Sequence, residues 1–174
     1  REKFRIPPRQ SVARPGGKAV KTMVIISDTH NMGMSNMPAQ VLNAMDEADY
    51  ILHLGDGEAD ILSLKRSYGG KVIAVRGNND ASGDKEQVVT IGGAKMLLTH
   101  GDLYNVRTRL EKLLARAKEE GAGYVLFGHT HRALITEEGG VTFINPGSLR
   151  YKGTYCYANA ADGKLYAVAV DLNK

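Results

Sequence analysis

From Met23 onward, short apolar runs alternate with stretches of helical periodicity. Met23–Ser27 (MVIIS) is apolar at consecutive positions, as a strand buried on both faces requires. Val41, Leu42 and Met45 share a helical face, with Pro38 suited to the first turn and Ser35 or Asn36 near the cap. Tyr50–Leu54 reads as a second strand, Ala59–Ser67 as a helix and Lys71–Val75 as a third strand. Gln87–Ile91 and Ala94–Thr99, joined by Gly92-Gly93, read as a hairpin. Between Val106 and Glu120 a stripe of Val106, Leu110, Leu113, Leu114 and Ala117 predicts a helix that Gly121 ends. The remainder is mostly strand: Tyr124–Gly128, Ala133–Glu138, Val141–Asn145, Thr154–Ala160 and Lys164–Leu172. A βαβαβ half followed by a β-rich half fits two sheets packed face to face, with helices on the outer faces.

The composition fits one folded domain. In 174 residues, 43% are hydrophobic and 24% charged, which excludes disorder throughout. The single cysteine, Cys156, excludes an intrachain disulfide and points to a reducing compartment such as the cytoplasm. Cys156 falls in a strand-like aromatic run and is expected to be buried and inert. No run of about 18 apolar residues suggests a membrane span. The net charge of +4 is uneven. Residues 1–22 hold seven basic side chains against Glu2 alone, so the rest of the chain has sixteen basic against eighteen acidic. This leader is irregular, with Pro7, Pro8, Pro15, Gly16 and Gly17, and lacks the apolar stretch of a secretory signal. It reads as an extension before a domain spanning 23–174. A nucleic-acid-binding arm is the lesser alternative.

Chemistry-bearing residues gather at strand ends. Asp28 and His30 follow the first strand, Asp56 the second, and Asn78 and Asp80 the third. His100 follows the second strand of the hairpin, and His129 and His131 follow Tyr124–Gly128. In open α/β sheets sites form at the carboxyl ends of strands, so separate loops can converge on one point. Carboxylate, imidazole and amide donors together suit manganese, iron or zinc. A calcium site would lack the histidines, and a structural zinc site would usually contain cysteine. Without Asp80, the seven remaining donors are too many for one tetrahedral ion and about right for two ions sharing a carboxylate and solvent.

Five of these blocks, SDTH (Ser27–His30), GD (Gly55-Asp56), GNND (Gly77–Asp80), THG (Thr99–Gly101) and GHTH (Gly128–His131), resemble those of the calcineurin-like metallophosphoesterases. The later NPGS (Asn145–Ser148) resembles the small phosphodiesterase branch of that family, the YfcE-type proteins. The resemblance implies a four-layer αββα sandwich of two mixed β-sheets flanked by helices. It implies two divalent ions, manganese first, with zinc, iron and nickel as alternatives. Asp28, His30 and His131 would hold one ion, Asn78, His100 and His129 the other, and Asp56 would bridge them. The implied activity is phosphodiester hydrolysis by a hydroxide activated between the metals. Two divalent ions, two aspartates and that hydroxide leave roughly one net positive charge, which attracts a phosphate ester. A small phosphodiester is the expected partner, nucleic acid is not favoured, and a dimer is implied only by the resemblance.

The chain departs from the family at two positions. Asn79 stands where many members carry a histidine that assists the leaving group, and asparagine cannot serve as a general acid near neutral pH. Asn31 stands where glycine is frequent. Asp80 and His53 are expected to support ligands rather than bind metal, His53 either as a core residue or by orienting an aspartate. Asp102 reads as a loop-stabilising carboxylate, and Met32, Met34 and Met37 as packing residues. Arg150 divides between a phosphate contact and a solvated surface arginine. Arg76 and Lys95 carry no assignment. The competing readings are a protein-interaction scaffold like the retromer subunit and a nuclease-like activity aided by the leader.

Overall fold

Alternate residues of the first strand, β1 (Lys21–Ile26), serve two different cores. Met23 and Ile25 face the second sheet, while Val24 and Ile26 face helices. That double burial explains why the run carries no polar break. In the computed structural model, which describes residues 19–174, β1 joins β2 (Tyr50–His53), β3 (Val72–Ala74), β9 (Thr154–Ala161) and β10 (Lys164–Asp171) in one five-stranded sheet. Its order is β10-β9-β1-β2-β3, with β1, β2 and β3 parallel and β9 and β10 antiparallel. The second sheet has the order β4-β5-β6-β8-β7, from β4 (Glu86–Ile91), β5 (Ala94–Thr99), β6 (Tyr124–Leu126), β7 (Ala133–Glu138) and β8 (Val141–Pro146). Here β5, β6 and β8 are parallel. Both sheets are therefore mixed.

The central core lies between the sheets, where Ile25, Leu52 and Cys156 meet Met96, Leu98, Leu126 and Ile144. Outside the first sheet, α1 (Ala39–Glu47) supplies Val41, Ala44 and Met45, and α2 (Glu58–Tyr68) supplies Leu64. Outside the second, α3 (Glu111–Glu120) packs Leu113 and Ala117 on Leu97, Val125 and Phe143. The expected αββα layering is present. Leu52, with no exposed surface, sits at the sheet interface, and truncating it to alanine costs about 2–5 kcal/mol. A short helix, α4 (Leu149–Lys152), follows β8. No helix among the described residues is long and apolar enough to cross a membrane.

Several boundaries differ from the sequence reading. Strand β1 begins at Lys21, two residues before the apolar run, because Lys21 and Thr22 pair with Ala160 and Asn159 of β9. The helix expected from Val106 starts only at Glu111. Asn105 adopts a left-handed conformation (φ 53°), and the segment after it makes turns, although Val106 still reaches the core. Pro38 is the N-cap of α1 rather than a first-turn residue, and Ser35 and Asn36 lie in a preceding 3-10 turn. Met37 is buried under α1, with Met32 and Met34 packed beside it, as expected of packing residues. Cys156 is buried, which pushes its thiol pKa up to about 12 and leaves it inert. The basic leader lies, up to residue 18, outside the described residues.

Candidate metal centre

All six parallel strands point their carboxyl ends to one edge, and the candidate residues follow five of them. The loops are tightly drawn. Asp28 N–H donates to the Gly55 carbonyl at 2.9 Å, His30 N–H to the Asp56 carbonyl at 2.8 Å and Gly128 N–H to the His100 carbonyl at 3.0 Å. Eight non-glycine described residues have positive φ, and five of them are Asp28, His30, Asp56, His129 and His131. Such conformations cost of order 1–3 kcal/mol each and persist where the surroundings impose them, commonly at functional sites. Two glycines of the motifs answer to close approach. A Cβ on Gly77 would collide with the Asp56 carboxylate, and one on Gly128 with Ser27 and Asp28.

Asp28 lies at the centre and is fully buried. Its Oδ2 accepts from Ser27 Oγ at 2.7 Å and from His129 N–H at 3.1 Å. Its Oδ1 is buried with no hydrogen-bond partner. Around that bare oxygen stand His131 Nε2 at 3.2 Å, His30 Nε2 at 3.8 Å and His100 Nε2 at 3.9 Å. The His30 and His131 Nε2 atoms are themselves 3.3 Å apart. A buried, unpaired carboxylate oxygen is costly unless a cation or donor reaches it, and imidazole nitrogens turned toward it make a cation site.

The second group adjoins the first. His100 donates its Nδ1–H to the Leu54 carbonyl at 2.7 Å, which turns Nε2 toward Asp56 Oδ2 at 3.3 Å. His129 Nδ1 lies 3.3 Å from the same Nε2. Burial alone would lower the His100 pKa, but its hydrogen bond to Asp56 and the charges of Asp28 and Asp56 raise it above the ordinary value. Burial would raise the Asp56 pKa, yet contact with His100 and two bonds from Asn79 hold it far below the usual carboxylate range. Burial and the neighbouring His100 charge lower that of His129. Asp28–His30–His131 and Asp28–Asp56–His100 each bring three donor atoms within 4.8 Å of one another. Asp28 is the carboxylate common to both. Asp56, read from the resemblance as the bridge, is close to His100 and Asn79. The donor set fits divalent ions of the manganese, iron or zinc kind.

The remaining predicted residues divide. Asn78 is exposed and lines an adjoining cleft of about 280 Å³ together with Arg76, Lys85 and Asp102. Asn79 donates its backbone N–H to Asp56 Oδ1 and its side-chain amide to Oδ2, each at 2.9 Å. Asp80 accepts four backbone N–H groups, from Asp56 and Gly77 on one oxygen and Gly57 and Glu58 on the other, at 2.7–3.1 Å. It thereby staples two site loops to the start of α2. His53 does not orient an aspartate. Its Nδ1 accepts from Gly55 N–H at 3.1 Å, which leaves Nε2 to donate to Thr29 Oγ1 at 2.9 Å. It holds the side chain of Thr29, the residue between Asp28 and His30. Asn31, at φ 57°, tolerates the left-handed backbone where glycine is frequent, and its Oδ1 accepts from Ala59 N–H at 3.0 Å. Arg150 donates to the His30 carbonyl at 2.5 Å.

One support gave no sequence signal, and another was marked only as a motif. Asp60 is buried and accepts from Met32 and Gly33 N–H at 3.0 and 2.8 Å, anchoring the loop after His30. An acid in the first turn of a helix is ordinary, so nothing marked it. Asn145 donates to the Gly128 carbonyl and to Thr130 Oγ1, both at 3.0 Å, and Ser148 Oγ donates to the Asp28 carbonyl at 2.8 Å. NPGS is thus the brace behind both histidine loops.

The sequence profile of the Calcineurin-like phosphoesterase superfamily domain matches residues 22–163, a span that holds every one of these residues. The chain belongs to that superfamily. Among its superfamily relatives is a probable metallophosphoesterase, YsnB, of Bacillus subtilis. It is 35% identical over 130 residues, covering 74% of this chain and 75% of the relative. A solved predicted phosphoesterase from Streptococcus pneumoniae shares 26% identity with a TM-score of 0.69, covering 88% of this chain and 91% of the other. Two more distant structures share the fold. Vacuolar protein sorting 29 of Cryptosporidium parvum has a TM-score of 0.71 at 20% identity, covering 89% of this chain and 99% of its own. An archaeal phosphodiesterase has 0.66 at 23%, covering 86% and 99%.

Proposed function

We propose that this calcineurin-like phosphoesterase is a phosphodiesterase working with two divalent cations, manganese first among them. The observation that carries the reading is the bare, buried Asp28 Oδ1 ringed by imidazoles from three separate loops. Asp28, His30 and His131 would hold one ion, and Asp56, His100 and His129 the other, with Asn78 close by on the cleft wall. Bound there, the ions supply Lewis acidity and a nucleophilic water at neutral pH. The protein's own residues position and polarise. His100 is held in one tautomer by the Leu54 carbonyl, so Nε2 faces the site. Asn79 fixes both oxygens of Asp56 and, after His100, helps keep it ionised. Asn79 cannot protonate a departing alkoxide, so esters with acidic leaving groups are favoured.

The test is metal analysis combined with hydrolysis of bis(p-nitrophenyl) phosphate and p-nitrophenyl phosphate, for wild type and Asp56→Asn. The proposal expects close to two metals per chain and manganese-stimulated turnover of the diester above the monoester, lost in the variant. Metal-free protein with no response to manganese would favour a protein-interaction scaffold. All seven candidate positions retain donor-competent side chains, which weighs against that scaffold.

A further inference from the structure

Tyr151 stands at the mouth of the metal centre with 57% of its surface exposed. Its ring lies 5.0 Å from the His30 ring and 5.6 Å from the His131 ring, tilted by 43° and 30°. The Arg150 guanidinium carbon sits 5.4 Å from the ring centroid, and Arg150 is itself tied to the His30 carbonyl. The segment carrying the ring is fixed at several points. Tyr151 N–H donates to Ser148 Oγ at 3.0 Å, and the same hydroxyl donates to the Asp28 carbonyl at 2.8 Å. Leu149 is buried, and its N–H reaches the Ser27 carbonyl at 3.2 Å. An aromatic ring pinned beside two metal-ligand candidates, yet open to solvent over half its surface, is a preorganised contact. A group drawn to His30 and His131 carries its substituent past that ring.

We propose that Tyr151, with Arg150 beside it, is an aromatic platform that selects phosphoesters bearing a planar aromatic group, either an aryl ester or a nucleobase. This rests on the phosphoester reading of the metal centre and names its substrate class. Ring-on-ring contact adds binding that an alkyl ester cannot supply.

The test is calorimetric binding of three ligands to the manganese-loaded protein: methylphosphonate, phenylphosphonate and adenosine 5′-monophosphate. Wild type, Tyr151→Phe and Tyr151→Ala are compared. Wild type is expected to bind at least one aromatic ligand more tightly than methylphosphonate. Tyr151→Phe should keep that preference, and Tyr151→Ala should lose it, on the order of 10- to 100-fold, with methylphosphonate unchanged. Preference for phenylphosphonate marks an aryl source, and preference for the nucleotide a nucleobase. Methylphosphonate weakening in parallel would show that the ring only props His30 and His131, and an aromatic preference surviving in Tyr151→Ala would place the contact elsewhere. Either result overturns the platform. If wild type fails to bind methylphosphonate at all, the phosphoester reading itself falls and the platform with it.

Discussion

His131 Nε2 lies 3.2 Å from Asp28 Oδ1, a buried oxygen that no hydrogen-bond donor satisfies. The other oxygen of the same carboxylate is occupied by Ser27 and the His129 amide, so the group cannot rotate to find Oδ1 a donor without breaking two bonds. Asp28 therefore presents one fixed, unshared acceptor to both histidine groups. Removing its charge should empty both. Asp28→Asn is expected to bind close to no metal, whereas Asp56→Asn should retain an ion at Asp28–His30–His131. Elemental analysis after dialysis reads the two stoichiometries. Equal occupancy in the two variants would make Asp28 no more central than Asp56.

Asn79 contributes through Asp56. Its amide and backbone hold both carboxylate oxygens at 2.9 Å. Groups that orient a ligand usually change metal affinity by 10- to 100-fold when removed. Asn79→Ala keeps the backbone bond and loses the side-chain one, so the apparent metal affinity should fall by roughly 10-fold or more. At saturating manganese most of the aryl-diester activity should return. Unchanged metal affinity would mean that the Asn79 amide does not support Asp56.

Asn79 also sets a limit on leaving groups. With no general acid there, turnover should fall steeply as the leaving-group pKa rises. Asn79→His, assayed at saturating metal, should raise the rate on alkyl esters by on the order of 10²-fold and change aryl esters little. A flat dependence in wild type would point to another proton donor.

Much of this site was legible because its parts are local. Asp28, His30, Asp56, His100, His129 and His131 each sit a fixed few residues beyond an apolar strand, and parallel strands bring such ends to one edge. The two sheets and their helices were legible for the same reason, since Met23 to Ile26 carry apolar side chains on both faces. What was hidden depends on contacts across the sequence. Asp60 binds the loop 27 residues before it, and Ser148 reaches Asp28 across 120 residues. The partner of His53 was misread because Thr29 and Asp56 are equally plausible neighbours from spacing alone. The start of α3 was misread because Val106 is buried from a turn as well as it would be from a helix.

His53 makes the pH dependence of stability predictable. It has no exposed surface, and burial lowers its pKa from 6.5 to about 4 despite the nearby carboxylates of Asp60 and Asp80. Above pH 6.5 the ring is neutral in both the folded and unfolded chain, so pH has no effect through it. As pH falls from 6.5 toward about 4, the unfolded chain takes up the proton first and stability declines. The full loss across that window is about 3–4 kcal/mol, at roughly 1.4 kcal/mol per pH unit. Urea unfolding of the metal-free protein at a series of pH values measures it. His53→Gln keeps a donor for Thr29 and cannot titrate. Its stability should decline less than that of wild type across the window, even if it is lower at pH 8. A variant that tracks wild type in parallel would show that the acid sensitivity arises elsewhere.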